Sequence, residues 1–156
     1  VTEFQQWVNG GKFNQEKLTP EQIYIRSFYQ NLNHFVLKNE AVYAGHFYDL
    51  QYFNINGQSY NYDKTRVFSY VRHTDQQKLL FVYNFDREKR FETCIKIPQE
   101  AWTNTFGLGR TVDYELKPVF PLIHPSPTLQ ASTITSSGVQ IDLPPVTVMV
   151  YEISGK

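Results

Sequence analysis

The sequence predicts a mainly β fold, an antiparallel Greek-key-like β-sandwich preceded by one amphipathic α-helix, and three observations carry that expectation. A single capped stretch has the near-four spacing of a helix, and the runs after Gly45 alternate with the period of two that belongs to strands. Asn, Gly, Ser and Pro clusters separate those runs, as turns do. Residues 1–45 then form an N-terminal segment and helix, and residues 46–156 form the sandwich.

The helix starts at Leu18-Thr19-Pro20-Glu21-Gln22. Thr19 can accept from the free donors of the first turn, Pro20 suits the first helical position, and Gln22 completes a capping box. At roughly 100° per residue, Tyr24, Ile25, Phe28, Tyr29, Leu32, Phe35 and Val36 share an arc of about 140°, which predicts a helix over Pro20 to Lys38. Phe47 to Tyr52 and Val67 to Arg72 read as strands around a polar loop. Leu79-Leu80-Phe81-Val82-Tyr83 is nearly all apolar and suits a strand covered on both faces. With Arg90 to Ile97 these runs predict a four-stranded meander. Val112 to Leu116 alternates as a further strand, after which Pro118, Pro121, Pro125 and Pro127 predict a looped path, so Pro98 to Thr128 reads as a long surface connection. Val139 to Leu143 and Thr147 to Ile153 close the sandwich across Pro144-Pro145.

Composition narrows function. With 156 residues, 41% hydrophobic and 16% aromatic, the chain has material for a real core. Lys plus Arg and Asp plus Glu are both 15, so no basic footprint for nucleic acid and no acidic funnel is present. No apolar run approaches the roughly 18 residues of a membrane span. Val1-Thr2-Glu3 is neither a basic leader nor an initiator Met, and the chain reads as part of something longer. Cys94, the one cysteine, excludes an internal disulfide and a cysteine-rich zinc site, and with no activating neighbour it reads as structural. The sequence has no Asn-x-Ser/Thr acceptor.

Several stretches resemble the end of the catalytic barrel and the sandwich that follows it in the α-amylase superfamily, glycoside hydrolase family 13. Phe28-Tyr29 in the helix, then Asn39, Ala41, Val42 and Gly45-His46-Phe47-Tyr48-Asp49-Leu50, are similar to the family's last barrel helix and the first strand of its C-terminal domain. Glu40 stands where that family often has Pro, and Val42 where it often has Leu. Trp7-Val8-Asn9-Gly10-Gly11-Lys12-Phe13 looks like the approach to that helix in some bacterial amylases. Leu79 to Asp86 is similar to the strand ending in Asn-Phe, and Val139 to Ile153 to the closing hairpin with its Leu-Pro-Pro turn. Pro98 to Thr128 departs from the pattern.

The resemblance implies a chain without its parent's catalytic carboxylates, because the family's Gly-x-Arg-x-Asp and His-Asp signatures lie upstream of this helix and are absent here. Gly109-Arg110-Thr111-Val112-Asp113 has the wrong spacing. A carboxylate pair drawn from Asp49, Asp113 or Glu115 is weighed against the plainer reading of outward-facing strand residues. His34, His46, His73 and His124 show no metal-binding spacing, and neither a cofactor nor a metal is implied. Tyr60 and Tyr62 in the loop Asn54 to Lys64, and Trp102 with Asn104 nearby, are the candidate carbohydrate-binding residues, since sugar C–H faces stack on exposed rings.

The expected function is therefore that of a non-catalytic C-terminal domain of an α-amylase-like glycoside hydrolase acting on α-glucans such as starch or maltooligosaccharides. Its partners are the parent's (β/α)8 barrel and α-glucan, with an exported or envelope-associated bacterial parent as the fitting setting. The alternatives are a free-standing carbohydrate-binding module and a protein-interaction domain with no sugar role. The apolar arc of the helix predicts a dimer through Pro20 to Lys38, unless Val1 to Lys17 folds back with Phe4, Trp7 and Phe13 to cover it.

Overall fold

The computed structural model describes residues 2–109, 112–121 and 126–156, apart from the side chains of Gly57 and Gln58. Arg110 and Thr111 of the rejected motif, His124 and Pro125 lie outside the described residues. The chain divides into two compact units, Val1–Lys38 and Asn39–Lys156.

The first unit holds helices α1 (Thr2–Val8) and α2 (Pro20–Lys38). The capping box forms as the sequence predicts: Gln22 N–H donates to Thr19 Oγ1 at 3.3 Å, and Thr19 N–H donates to Gln22 Oε1 at 2.9 Å.

The second unit opens with α3 (Glu40–Tyr43) and continues through β1 (His46–Asp49), β2 (Val67–His73), β3 (Lys78–Asn84), β4 (Phe91–Ile95), β5 (Tyr114–Phe120), β6 (Leu129–Gln130), β7 (Val139–Leu143) and β8 (Thr147–Gly155). Six strands form one sheet in the order β1-β2-β3-β8-β5-β6, and β4 pairs with β7 in a second. All pairings are antiparallel. The expected mainly β, sandwich-type architecture is what the chain adopts.

Its core lies between the sheets. Val67, Val71, Leu80, Val82, Leu116, Met149, Tyr151 and Ile153 of the large sheet pack in one cluster with Phe91, Ile95, Ile141 and Leu143 of the small one. β3 lies between β2 and β8, with Leu79, Leu80, Phe81 and Val82 all buried, which explains its apolar run. On the face away from the cluster runs a ladder of rings: Tyr70 stacks on Phe81 at 4.8 Å between centroids, and Tyr83 on Phe85 at 5.6 Å.

Four expectations are corrected. The meander stops at three strands, because β8 occupies the far edge of β3 and β4 crosses to the other sheet. The closing pair β7 and β8 is not a paired hairpin either, since Pro144-Pro145 carries the chain from one sheet to the other. The first strand ends at Asp49 rather than Tyr52: Asp49 Oδ1 accepts Gln51 N–H at 2.8 Å and turns the chain into a helical turn, Gln51–Phe53. The stretch from Pro98 is no surface connection, because Trp102, Phe106, Leu108, Leu116 and Phe120 are buried. β5 runs through Pro118, where β6 has ended and the pairing with β8 shifts register, so the missing N–H leaves no partner stranded.

Two buried amides hold the loops. Asn54 Nδ2 donates to the Leu50 and Lys96 carbonyls at 2.9 and 3.0 Å, while its Oδ1 accepts Lys96 N–H at 2.9 Å. Asn84 Nδ2 reaches the carbonyls of Lys89, Leu143 and Pro144, and its Oδ1 accepts Asp86 N–H. Cys94 is buried with its thiol on the Ser137 carbonyl, against Gly138, where any Cβ would collide with the sulfur.

Candidate functional site

In the first unit, α1 folds back along one flank of α2. The Arg26 guanidinium lies 4.9 Å from the Trp7 ring centre, and Gln22 Nε2 donates to Gln6 Oε1 at 3.5 Å. Phe4 and Phe13 flank Trp7 at 5.8 and 5.4 Å. The fold-back stops at that flank. Tyr24, Ile25, Tyr29 and Leu37 remain more than half exposed, as do Phe4 and Phe13 themselves. Among the described residues of this unit one apolar side chain, Phe35, is buried.

The three candidate aromatic residues sit in different surroundings. Tyr60 is 74% exposed on the loop before β2, and its carbonyl accepts Cys94 N–H at 3.1 Å. Tyr62 turns inward: its hydroxyl bonds to Gln51 Oε1 and lies 3.0 Å from Ser69 Oγ, and burial pushes its pKa up to about 12. One edge of Tyr62 borders a cleft of about 410 Å³ with Asp63, Lys89, Arg90, Phe91 and Glu92. Charge there is largely engaged, with Arg90 in a bidentate pair on Asp142 and Lys89 over the Phe91 ring. Trp102 is only 4% exposed and packs edge-on to Tyr114 at 5.2 Å, within the core.

Trp102 nevertheless forms the inner wall of another cavity, of about 160 Å³, with Gln99, Asp113, Tyr114, Ser132 and Thr135 around it. Ala131 and Ile134 complete its buried floor, while Asp113 and Ser132 are exposed at its mouth. The Gln99 amide nitrogen is buried and has no hydrogen-bond partner. Tyr114 is fixed by its hydroxyl, which accepts Gly109 N–H at 2.9 Å. Sequence reasoning singled out Trp102 but not Gln99, Ser132 or Thr135. They come from two separate segments, and no local pattern links them.

Of the carboxylates weighed as a catalytic pair, Asp49 stands far from the other two, and Asp113 and Glu115 come from one segment rather than from different strands. Asp49 on β1 and Glu115 on β5 are four strands apart, about 19 Å at sheet spacing, against roughly 5 Å for a retaining pair. Glu115 is bridged by Lys117 at 3.1 Å. His46 and His73 face each other across β1 and β2, 5.6 Å between ring centres, and desolvation with the neighbouring His46 lowers the His73 pKa. Among the described residues no group of three His, Cys, Asp or Glu side chains is placed to hold a metal, and no helix is long and apolar enough to cross a membrane.

Neither a protein-family model nor a curated protein matches the chain. Among solved structures it is similar to isomaltulose synthase from Klebsiella sp. LX3, with a TM-score of 0.51 at 15% identity over 92% of this chain and 20% of that one. It is also similar to a variant of isomaltulose synthase from Erwinia rhapontici NX5 in complex with D-glucose, with a TM-score of 0.48 at 18% identity over 81% of this chain and 17% of that one. The likeness to the Klebsiella enzyme is one of fold, and the chain spans a fifth or less of the length of these enzymes.

Proposed function

We propose that the chain is the non-catalytic C-terminal domain, with the last barrel helix attached, of an α-amylase-like glycoside hydrolase acting on α-glucans such as starch and maltooligosaccharides. One observation carries the reading: residues 1–38 fold into helices yet bury a single apolar side chain among those described, while Tyr24, Ile25, Tyr29 and Leu37 stay exposed. A unit of this size cannot supply its own core, and rings displayed on one helix need a partner. A (β/α)8 barrel to which α2 belongs is that partner. The motif resemblance from Phe28 to Ile153 supports this, and so does the shared fold with a segment of an isomaltulose synthase, an enzyme of the same superfamily.

In this reading residues 46–156 cap and stabilise the barrel, residues 1–45 are its last segment and helix, and at Gly45 between them any Cβ would collide with the Ala41 carbonyl. Tyr60 is the exposed ring available for glucan, whereas Tyr62 and Trp102 are held by their neighbours. Without the barrel, the helix face pairs two copies of the chain.

The coding sequence upstream of Val1 is the test. It is expected to encode barrel strands bearing Gly-x-Arg-x-Asp and the paired carboxylates, and the enzyme spanning both parts is expected to release reducing sugar from soluble starch while this chain alone releases none. An upstream region without those signatures contradicts the reading. So does turnover by this chain that survives Asp113→Asn with Glu115→Gln.

A further inference from the structure

We propose that His46 and His73 form an acid-sensitive latch, which holds the edge strand β1 and the connector before it on the sandwich at neutral pH and loosens them below about pH 6. The pair lies wholly within Asn39–Lys156 and stands whether or not a barrel precedes the chain.

Placement comes first. β1 is four residues long, stands at the end of the large sheet and pairs with β2 alone. Its first residue, His46, lies directly opposite His73, with 5.6 Å between ring centres. Like charges at directly opposed positions weaken a strand pair. The backbones already touch there, since a Cβ at Gly45 would stand 2.8 Å from the His73 carbonyl oxygen. The neighbours of His73 also anchor the connector. Arg72 donates to the Ala41 and Val42 carbonyls at 3.0 and 2.9 Å, and Gln77 bonds to Asn39 and Ala41.

Charge decides the direction. His46 is exposed, whereas His73 is half-buried in an edge-on contact with the buried Phe106, 5.0 Å between centres. Desolvation, then His46, Lys78 of β3 and Arg72 of β2 itself, lower the His73 pKa, and Asp75 in the following turn opposes them. Tyr48, which β1 also sets against Phe106, stays neutral throughout, because burial, then Glu100 and Asp49, raise its pKa. With the folded pKa of His73 below the unfolded value of about 6.5, the released edge takes up its proton first. The pairing is therefore at full strength above that value and weakens as pH falls toward the folded one. A proton on each ring sets two cations face to face beside Arg72 and Lys78, and Asp75 is the one carboxylate among the groups acting on His73. The loss is local, since β3 is paired on both sides by β2 and β8. The connector is the covalent link from residues 1–38 to the sandwich, so the latch sets how firmly that link is held.

Amide hydrogen exchange on the intact chain, corrected for the intrinsic pH dependence of exchange, reads the latch at about pH 7.5 and about pH 5. Protection of residues 46–49 is expected to fall about tenfold between the two while that of β3 holds. His46→Gln removes one charge at an exposed site and is the deciding variant. It is expected to abolish most of the fall and to raise the pKa of the His73 ring followed by NMR, and His73→Gln is expected to abolish the fall as well, circular dichroism verifying that each variant folds. Equal protection of residues 46–49 at both pH values in the wild type overturns the proposal, and so does exchange at the unprotected rate at both, which means that no latch is closed. A fall that persists in His46→Gln, or one shared equally by β3, assigns the effect to general acid destabilisation and overturns it as well.

Discussion

Residues 1–38 and 39–156 obey the same local rules and reach different ends. In the first unit the signals are faithful: Thr19 and Gln22 cap each other, and α2 runs from Pro20 to Lys38. Yet that unit buries only Phe35 among its described apolar side chains, whereas the second closes two sheets over a continuous core. Good helix chemistry builds a helix, but it does not supply something to pack against. In the proposed reading the first unit is a piece of a larger packing arrangement and the second a domain in its own right.

The contrast can be broken most forcefully from the inside. Val82→Asp places an unpaired charge in the core beneath β3 and is expected to cost several kcal/mol, roughly the whole stability of a domain. Urea unfolding followed by circular dichroism is expected to lose its cooperative transition. An unchanged midpoint would mean that β3 is not central. Asn84→Ala comes next: it leaves the carbonyls of Lys89, Leu143 and Pro144 without their shared donor and is expected to cost about 2 kcal/mol, read as a lower midpoint at constant slope.

Substitutions on α2 sharpen the comparison because they are expected to act oppositely. Tyr29→Lys places a charge on the exposed rings and is expected to leave stability within about 0.5 kcal/mol while converting a dimer to a monomer in light scattering. Since α1 covers only the Gln22 and Arg26 flank, deleting residues 1–17 is expected to strengthen pairing rather than abolish it. A chain that is monomeric with and without those residues removes the orphaned face from the account.

The smallest effect belongs to an exposed turn of the second unit. The Asp86 carboxylate accepts the N–H groups of Glu88 and Lys89 and pairs with Arg66 at 2.7 Å, which holds its pKa below the ordinary carboxylate value. With the folded pKa depressed, its stabilisation is present above the unfolded value, about 4, and is lost as pH falls through the folded one. Wild type and Asp86→Asn are therefore expected to differ slightly in melting temperature at pH 6 and to draw together as pH falls below about 4.

Legibility followed the range of the interactions. The helix, its cap and the burial of Leu79 to Val82 were readable because each depends on neighbours in sequence or on a single unbroken apolar run. The departure of β4 to the second sheet was not readable, because β8, some 60 residues later, takes the place beside β3. Pro98 to Thr128 misled for a related reason. Its prolines signal loops locally, but Pro118 sits where β5 has no partner on one side, and Trp102 and Phe106 are drawn into a core assembled by other segments. The cavity follows the same logic: Trp102 advertised itself, and Gln99, Ser132 and Thr135 gain meaning only from a juxtaposition the fold creates.

Amide hydrogen exchange on the intact chain, dilute enough to be monomeric, tests the central contrast most directly. Amides of β3 and β8 are expected to exchange only with global unfolding, while those of α2 exchange through local opening, orders of magnitude faster despite their regular helical bonds. Equal protection across α2 and β3 would show that residues 1–38 need no further partner, and would contradict the account.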